Sequence, residues 1–141
     1  MRKLLVTAVA LAPLAIASGA MAQTEITGER TTPIFTSNPG GNGPDDIFFE
    51  NGSSITLDEG VAVTIDSDNE VELDAGSEID MTGSADGSTG ILVEGGNTGG
   101  LIIGGSILVT DGNEEPEDED EDGDLDGPLA TGRDRYGVRV A

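Results

Sequence analysis

The chain has no cysteine, no histidine and no tryptophan, and only one tyrosine and three phenylalanines among 141 residues. Without cysteine there are no disulfide staples and no thiol chemistry. Without histidine the commonest general base and metal ligand is missing, so Ser-His and Cys-His nucleophiles and ordinary zinc sites are excluded. Positive charge is scarce too: 6 Lys and Arg stand against 28 Asp and Glu, a formal net charge of −22. That excess repels polyanions and argues against nucleic acid or an anionic membrane surface as partner. Few aromatics and 22 Gly would suit a disordered chain, but the regular spacing of Ile, Val and Leu points to an ordered repeat.

That spacing begins at Ile55. Ile55-Thr-Leu57, Val63-Thr-Ile65, Val71-Glu-Leu73 and Ile79-Asp-Met81 each read apolar-polar-apolar, the period of a short strand with one buried face. Their first members recur every eight residues (63 − 55, 71 − 63 and 79 − 71). The intervening Asp58-Glu-Gly60, Asp66-Ser-Asp-Asn69 and Asp74-Ala-Gly76 are turn formers that tolerate left-handed backbone. Strands this short bury little as a flat meander but much as a stacked coil. Three sides of eight residues make a rung of 24 (79 − 55), and the spacing predicts an all-β fold, a right-handed parallel β-helix.

The N-terminus carries a different signal. Arg2-Lys3 precede an apolar stretch from Leu4 to Ile16, and Ala20-Met-Ala22 follows. This three-part pattern predicts a signal peptide over residues 1–22, cut between Ala22 and Gln23. Cleavage removes both cations of that segment and no acid, leaving 4 − 28 = −24 on 141 − 22 = 119 residues, enough for one small domain.

Residues 23–46 read as a turn-rich, irregular leader and N-terminal cap, with one strand near Ile34-Phe-Thr36. Residues 47–110 read as the rungs, about three when counted from Gly52. Phe48 or Phe49 is expected to cover the open end of the first coil, because terminal repeats of a solenoid are atypical. A longer repeat also shows: Gly76-Ser-Glu-Ile-Asp-Met81 then Gly90-Ile-Leu-Val93 parallels Gly105-Ser-Ile-Leu-Val109 then Gly137-Val-Arg-Val140. The second copy carries an acidic insertion in its turn, residues 111–135. Residues 136–141 then read as the start of a further strand, which suggests a truncated product of something longer.

The insertion holds eleven acids between Asp111 and Asp126. Asp118, Asp120, Asp122, Asp124 and Asp126, with Gly123 at the sharp turn and Leu125 after it, follow the first nine positions of a calcium loop. They are candidate Ca²⁺ ligands, and Ca²⁺ is the one candidate cofactor. Leu129 stands where the bidentate Glu belongs, and no helix signal flanks the loop; a self-repelling solvated loop is the competing reading. Gly40-Gly-Asn-Gly-Pro-Asp45-Asp-Ile-Phe48 fits a calcium nonapeptide once, but such sites need stacked copies, so it reads as a turn.

No catalytic constellation emerges. Asp66 and Asp68 are close, as the clustered carboxylates of β-helix pectinolytic enzymes are, but they lie in a corner where Asp is a structural choice. Arg133, Arg135 and Arg139 are the only local cations, and their expected role is to neutralise neighbouring acids.

Together the signal segment, Thr31-Thr-Pro33, the Gly52-Ser-Ser-Ile-Thr-Leu57 and Val61-Ala-Val-Thr-Ile-Asp-Ser67 runs, Gly90-Ile91 and the Asp120-to-Val140 segment resemble the passenger start of alphaproteobacterial autotransporters, the type V secretion family. The resemblance implies a non-catalytic β-helical passenger segment, exported by the Sec machinery through the periplasm for cell-surface display or adhesion at the outer membrane. It also implies a C-terminal β-barrel translocator as partner, for which this sequence has no amphipathic aromatic-ended strands. The alternatives are a fragment of a β-helix polysaccharide-active enzyme and a free-standing calcium-binding periplasmic protein.

Overall fold

The structure, a computed structural model, describes residues 23–111, 121–123 and 132–141. Twelve short strands follow one another: β1 (Gln23–Ile26), β2 (Glu29–Arg30), β3 (Ile34–Phe35), β4 (Asp46–Phe49), β5 (Ser54–Thr56), β6 (Val61–Ile65), β7 (Val71–Leu73), β8 (Glu78–Met81), β9 (Thr89–Val93), β10 (Leu101–Ile103), β11 (Ser106–Val109) and β12 (Tyr136–Val140). Among the described residues there is no helix.

Every third strand joins the same sheet. The orders are β1-β4-β7-β10, β2-β5-β8-β11 and β3-β6-β9-β12, and every neighbour pair is parallel. The chain is a parallel β-helix whose coils run β1–β3, β4–β6, β7–β9 and β10–β12. Counted from Gly52 the stack has about three coils, as the repeat predicts, and residues 23–49 add four strands before them.

The 24-residue repeat sets the register where no turn is enlarged. Ile47 pairs with Val71 and Phe49 with Leu73 (71 − 47 and 73 − 49), and Ile55 pairs with Ile79 (79 − 55). The longer repeat does the same across the insertion. Ile107 pairs with Ile79 and Val109 with Met81, while Val138 pairs with Ile91 and Val140 with Val93.

In-register parallel pairing places like side chains over one another, so the core is a set of columns. Ile26, Phe49 and Leu73 form one column, Ile34, Val63 and Ile91 a second, and Ile55 with Ile79 a third; all are buried. Burying each such side chain is worth about 1.5–3 kcal/mol, which is what holds strands of two to five residues in place.

One corner repeats with the same period. Gly28, Gly52 and Gly76 lie between the first and second strands of successive coils, at φ of 79°, 81° and 86°. This is left-handed backbone that a β-carbon would strain. Beside it the buried Ser53 and Ser77 donate their hydroxyls to Glu50 O (2.7 Å) and Asp74 O (2.8 Å). Buried polar groups at the turns are thereby satisfied.

Two expectations need correction. Phe49 does not cap the stack. It is wholly buried between Ile26 and Leu73, one coil in from the end, because β1 pairs with β4 and takes the outer place; Phe48 lies on the opposite, outward side of β4, between Glu25 and Glu72 in register. Residues 23–46 are also not irregular throughout, since β1, β2 and β3 are a complete coil. Only one strand was legible there because Gln23-Thr-Glu-Ile26 and Glu29-Arg30 lack the apolar-polar-apolar triplet and pair through their backbones. Residues 1–22, where a signal peptide ending at Ala22 is expected, lie outside the described residues.

Candidate functional site

Of the five candidate calcium ligands, Asp118, Asp120, Asp124 and Asp126 lie outside the described residues, and Asp122 is exposed. The described residues contain no group of three or more acids arranged to hold a metal ion. What the structure does show is how the insertion is anchored.

Asp111, where the chain leaves β11, accepts the Gly132 N–H at 2.6 Å through Oδ2, so the two ends of the excursion meet. Arg135 holds them to the coil beneath. Its Nη2 lies 3.1 Å from Asp111 Oδ1, its Nε and Nη2 donate to Ser84 O at 2.8 and 2.6 Å, and its Nη1 lies 3.2 Å from Asp86 Oδ1. Asp86 Oδ1 also accepts the Arg133 N–H at 3.0 Å. The Arg135 side chain is only 13% exposed, and its planar fork serves a carbonyl and two carboxylates at once, which an ammonium could not. Arg135 therefore does neutralise neighbouring acids, as expected; Arg139 instead lies over the Tyr136 ring, 5.4 Å from its centroid, within cation–π range.

The Asp66–Asp68 corner is engaged as well. Asp66 accepts the Ser37 N–H (2.7 Å), the Ser37 hydroxyl (2.6 Å) and the Thr36 hydroxyl (3.2 Å) of the previous coil. Burial pushes its pKa up, but these bonds outweigh burial and hold it below the usual carboxylate value. Asp68 reaches the other way and accepts the Thr98 N–H of the next coil at 2.7 Å; that backbone bond, with the Thr98 hydroxyl, lowers its pKa. The Thr82 hydroxyl, with the Thr82 N–H that Asp80 accepts at 2.9 Å, lowers the Asp80 pKa. Asp66 and Asp68 thus stitch three successive coils along one corner. Below them Asp46 Oδ1 accepts from Asn69 Nδ2 (3.1 Å) and Glu70 N (2.8 Å).

The Gly40–Asp45 stretch is a turn between β3 and β4, closed by Asn38 Oδ1 accepting the Gly43 N–H at 3.1 Å. With Thr24 it lines a shallow cleft of about 210 Å³. Asp45 is occupied there, accepting the Thr24 hydroxyl at 3.0 Å and the Asp46 N–H at 3.1 Å.

Each column closes well inside and opens in coil four: Leu73 is 1% exposed and Ile103 47%, while Ile91 is 0% exposed and Val138 39%. Val140, Ile102 and Leu108 are exposed there too. From Gly95 to Thr110 no residue is charged. Strands β10 and β11 thus give an acidic protein an uncharged stretch with exposed Ile102, Ile103 and Leu108, whereas β12 carries Arg139.

Comparison with protein-family models, with curated proteins and with solved structures finds no match to this chain.

Proposed function

We propose that the chain is a non-catalytic passenger segment of an outer-membrane autotransporter, exported by Sec and presented at the cell surface for display or adhesion. The supporting observation is the fold: the described strands stack as in-register parallel coils, the β-helical architecture that the resemblance to an autotransporter passenger implies. A cysteine-free chain also crosses the oxidising periplasm without forming disulfides.

The uncharged stretch from Gly95 to Thr110 is the part of the described chain best suited to contact, since the other described segments carry most of the acids. In this reading Arg135 holds the two ends of the acidic insertion, Asp111 and Gly132, to a stack that acts as scaffold. The test is expression in a Gram-negative host with the chain placed ahead of a β-barrel translocator. N-terminal sequencing should begin at Gln23, and protease added to intact cells should remove the passenger. An uncleaved leader, or a product that stays inside the cell, overturns the reading.

A further inference from the structure

Asparagine followed by glycine occurs at Asn42-Gly43 and again at Asn51-Gly52, and both asparagines are exposed. Such a pair is open to loss of the amide, because glycine has no β-carbon to shield its nitrogen from the preceding side chain. The two sites are held very differently. Asn51 stands at the corner before β5, where coil three engages both reacting groups. Its Nδ2 donates to Ala75 O, and the Gly52 N–H donates to Gly76 O at 3.1 Å. The amide also packs on Gly76, where a β-carbon would lie 2.7 Å from Nδ2. Next to it the buried Ser53 donates its N–H and its hydroxyl to Glu50 O, at 2.9 and 2.7 Å. At Asn42 the corresponding bonds stay within the turn between β3 and β4. Its Nδ2 lies 3.4 Å from Gly40 O, longer than an ordinary hydrogen bond, and the Gly43 N–H donates to Asn38 Oδ1 at 3.1 Å.

We propose that Asn42 is the deamidation site of the folded protein and that the stacked coils protect Asn51. The Gly43 nitrogen gives its proton to a solvent base and attacks Asn42 Cγ. The bond from Cγ to the amide nitrogen breaks and ammonia leaves, closing a five-membered succinimide. Water then opens either ring carbonyl, leaving an aspartyl or isoaspartyl residue at position 42 with one new negative charge. Ring closure needs the glycine nitrogen and the side-chain carbonyl carbon to turn toward each other. At Asn42 that breaks one exposed bond to Asn38, a small local opening. At Asn51 it pulls the corner of coil two away from coil three. The product would also be tolerated differently. A carboxylate at position 51 would set an acceptor against Ala75 O where the amide now donates. At position 42 it would add a charge at the surface cleft that Thr24 and Asp45 line. None of this depends on export or on the passenger reading.

The test incubates the full chain, folded and in urea, side by side in mildly alkaline buffer. Cleavage after glutamate then separates the two sites at Glu50, and mass spectrometry follows conversion of amide to acid in each peptide. Asn38 shares a peptide with Asn42 but precedes Pro39, whose nitrogen carries no hydrogen and cannot close the ring. In the folded protein Asn42 should convert at least about tenfold faster than Asn51, the factor for breaking roughly two inter-coil hydrogen bonds first. In urea the two rates should come within about threefold, because the coils no longer hold either site. Asn42→Gln, whose longer side chain closes only a larger ring, should abolish conversion in its peptide. Asn42→Asp should keep its Tm within about 2 °C of wild type, while Asn51→Asp should lose about 4 °C or more. Equal rates in the folded protein, faster conversion at Asn51, a tenfold ratio that survives in urea, conversion that persists in Asn42→Gln, or an Asn51→Asp protein as stable as wild type overturns the proposal.

Discussion

Arg135 Nη2 lies 3.1 Å from Asp111 Oδ1, joining the residue just before β12 to the second residue after β11 across the acidic insertion. The pair matters because the insertion carries much of the molecule's like charge and would pull apart any base that was not locked. With Ser84 O and Asp86 also on the same guanidinium, Arg135 fixes where β12 starts and hence the register of the last strand.

Replacing Arg135 by Ala should cost about 2–3 kcal/mol, because several charge-assisted bonds are lost and Asp111 is left half-buried without its cation. Arg135→Lys should recover only part of this, since a single ammonium cannot serve Ser84, Asp86 and Asp111 together. Urea melts of the three proteins check both statements. Hydrogen exchange should show the loss concentrated in β12, whose Tyr136 N–H bonds to Ser88 O at 3.0 Å. Equal stability of Arg135→Ala and wild type would show the clamp to be idle.

Gly90 has no room for a side chain. A β-carbon there would lie 2.6 Å from Ile107 Cγ2 and 2.7 Å from Gly137 O, the latter backbone that cannot step aside without moving β12. Gly90→Ala should therefore destabilise by about 1–3 kcal/mol, the usual range for overpacking. The comparison is Ala62→Gly, one coil earlier in the same sheet, which should cost about 1 kcal/mol through chain entropy and a lost methyl. Thermal melts that rank Ala62→Gly as the more damaging change would contradict this picture of the core.

The pH dependence follows from the lowered pKa of Asp66. A carboxylate whose folded pKa is below its unfolded value contributes stability that is fully present above the unfolded pKa, and that is lost as pH falls through the folded pKa. The unfolded value is 3.8, so the contribution holds at neutral pH and fades below about pH 4. Asp68 and Asp80 act in the same direction. Asp66→Asn should be about 1–2 kcal/mol less stable than wild type at neutral pH, and the gap should close on acidification. Protonation of the remaining acids relieves general repulsion in both proteins alike, so the difference between them isolates Asp66. A gap that stays constant down to about pH 2 would mean that the Ser37 bonds do not depend on charge.

Much of the fold could be read before any coordinates. Ile55, Val63, Val71 and Ile79 carry the strand period, the corner length and the rung length at once, because side-chain alternation and turn chemistry are local properties. The pairing of Gly137-Val-Arg-Val140 with Gly90-Ile-Leu-Val93 was legible for the same reason, as self-similarity that an insertion does not erase. The corner role of Asp66 and Asp68 was legible from residue type, although their partners Ser37, Thr36 and Thr98 were not. They come from neighbouring coils, 29, 30 and 30 residues away.

The sequence by itself determined that the chain is all-β, that it coils in parallel, and which residues face inward over most of its length. Tertiary structure decided what lies at the ends. Whether Gln23-Thr-Glu-Ile26 is a strand depends on whether β4 offers it an edge, and no local pattern records that. For the same reason Phe49 became an inner layer between Ile26 and Leu73. Arg135 finds Asp111 and Asp86 only because stacking brings residues 24 and 49 positions apart (135 − 111 and 135 − 86) into contact. Local propensity and periodicity act along the chain, whereas capping, clamping and exposure are properties of which coil lies above and which below.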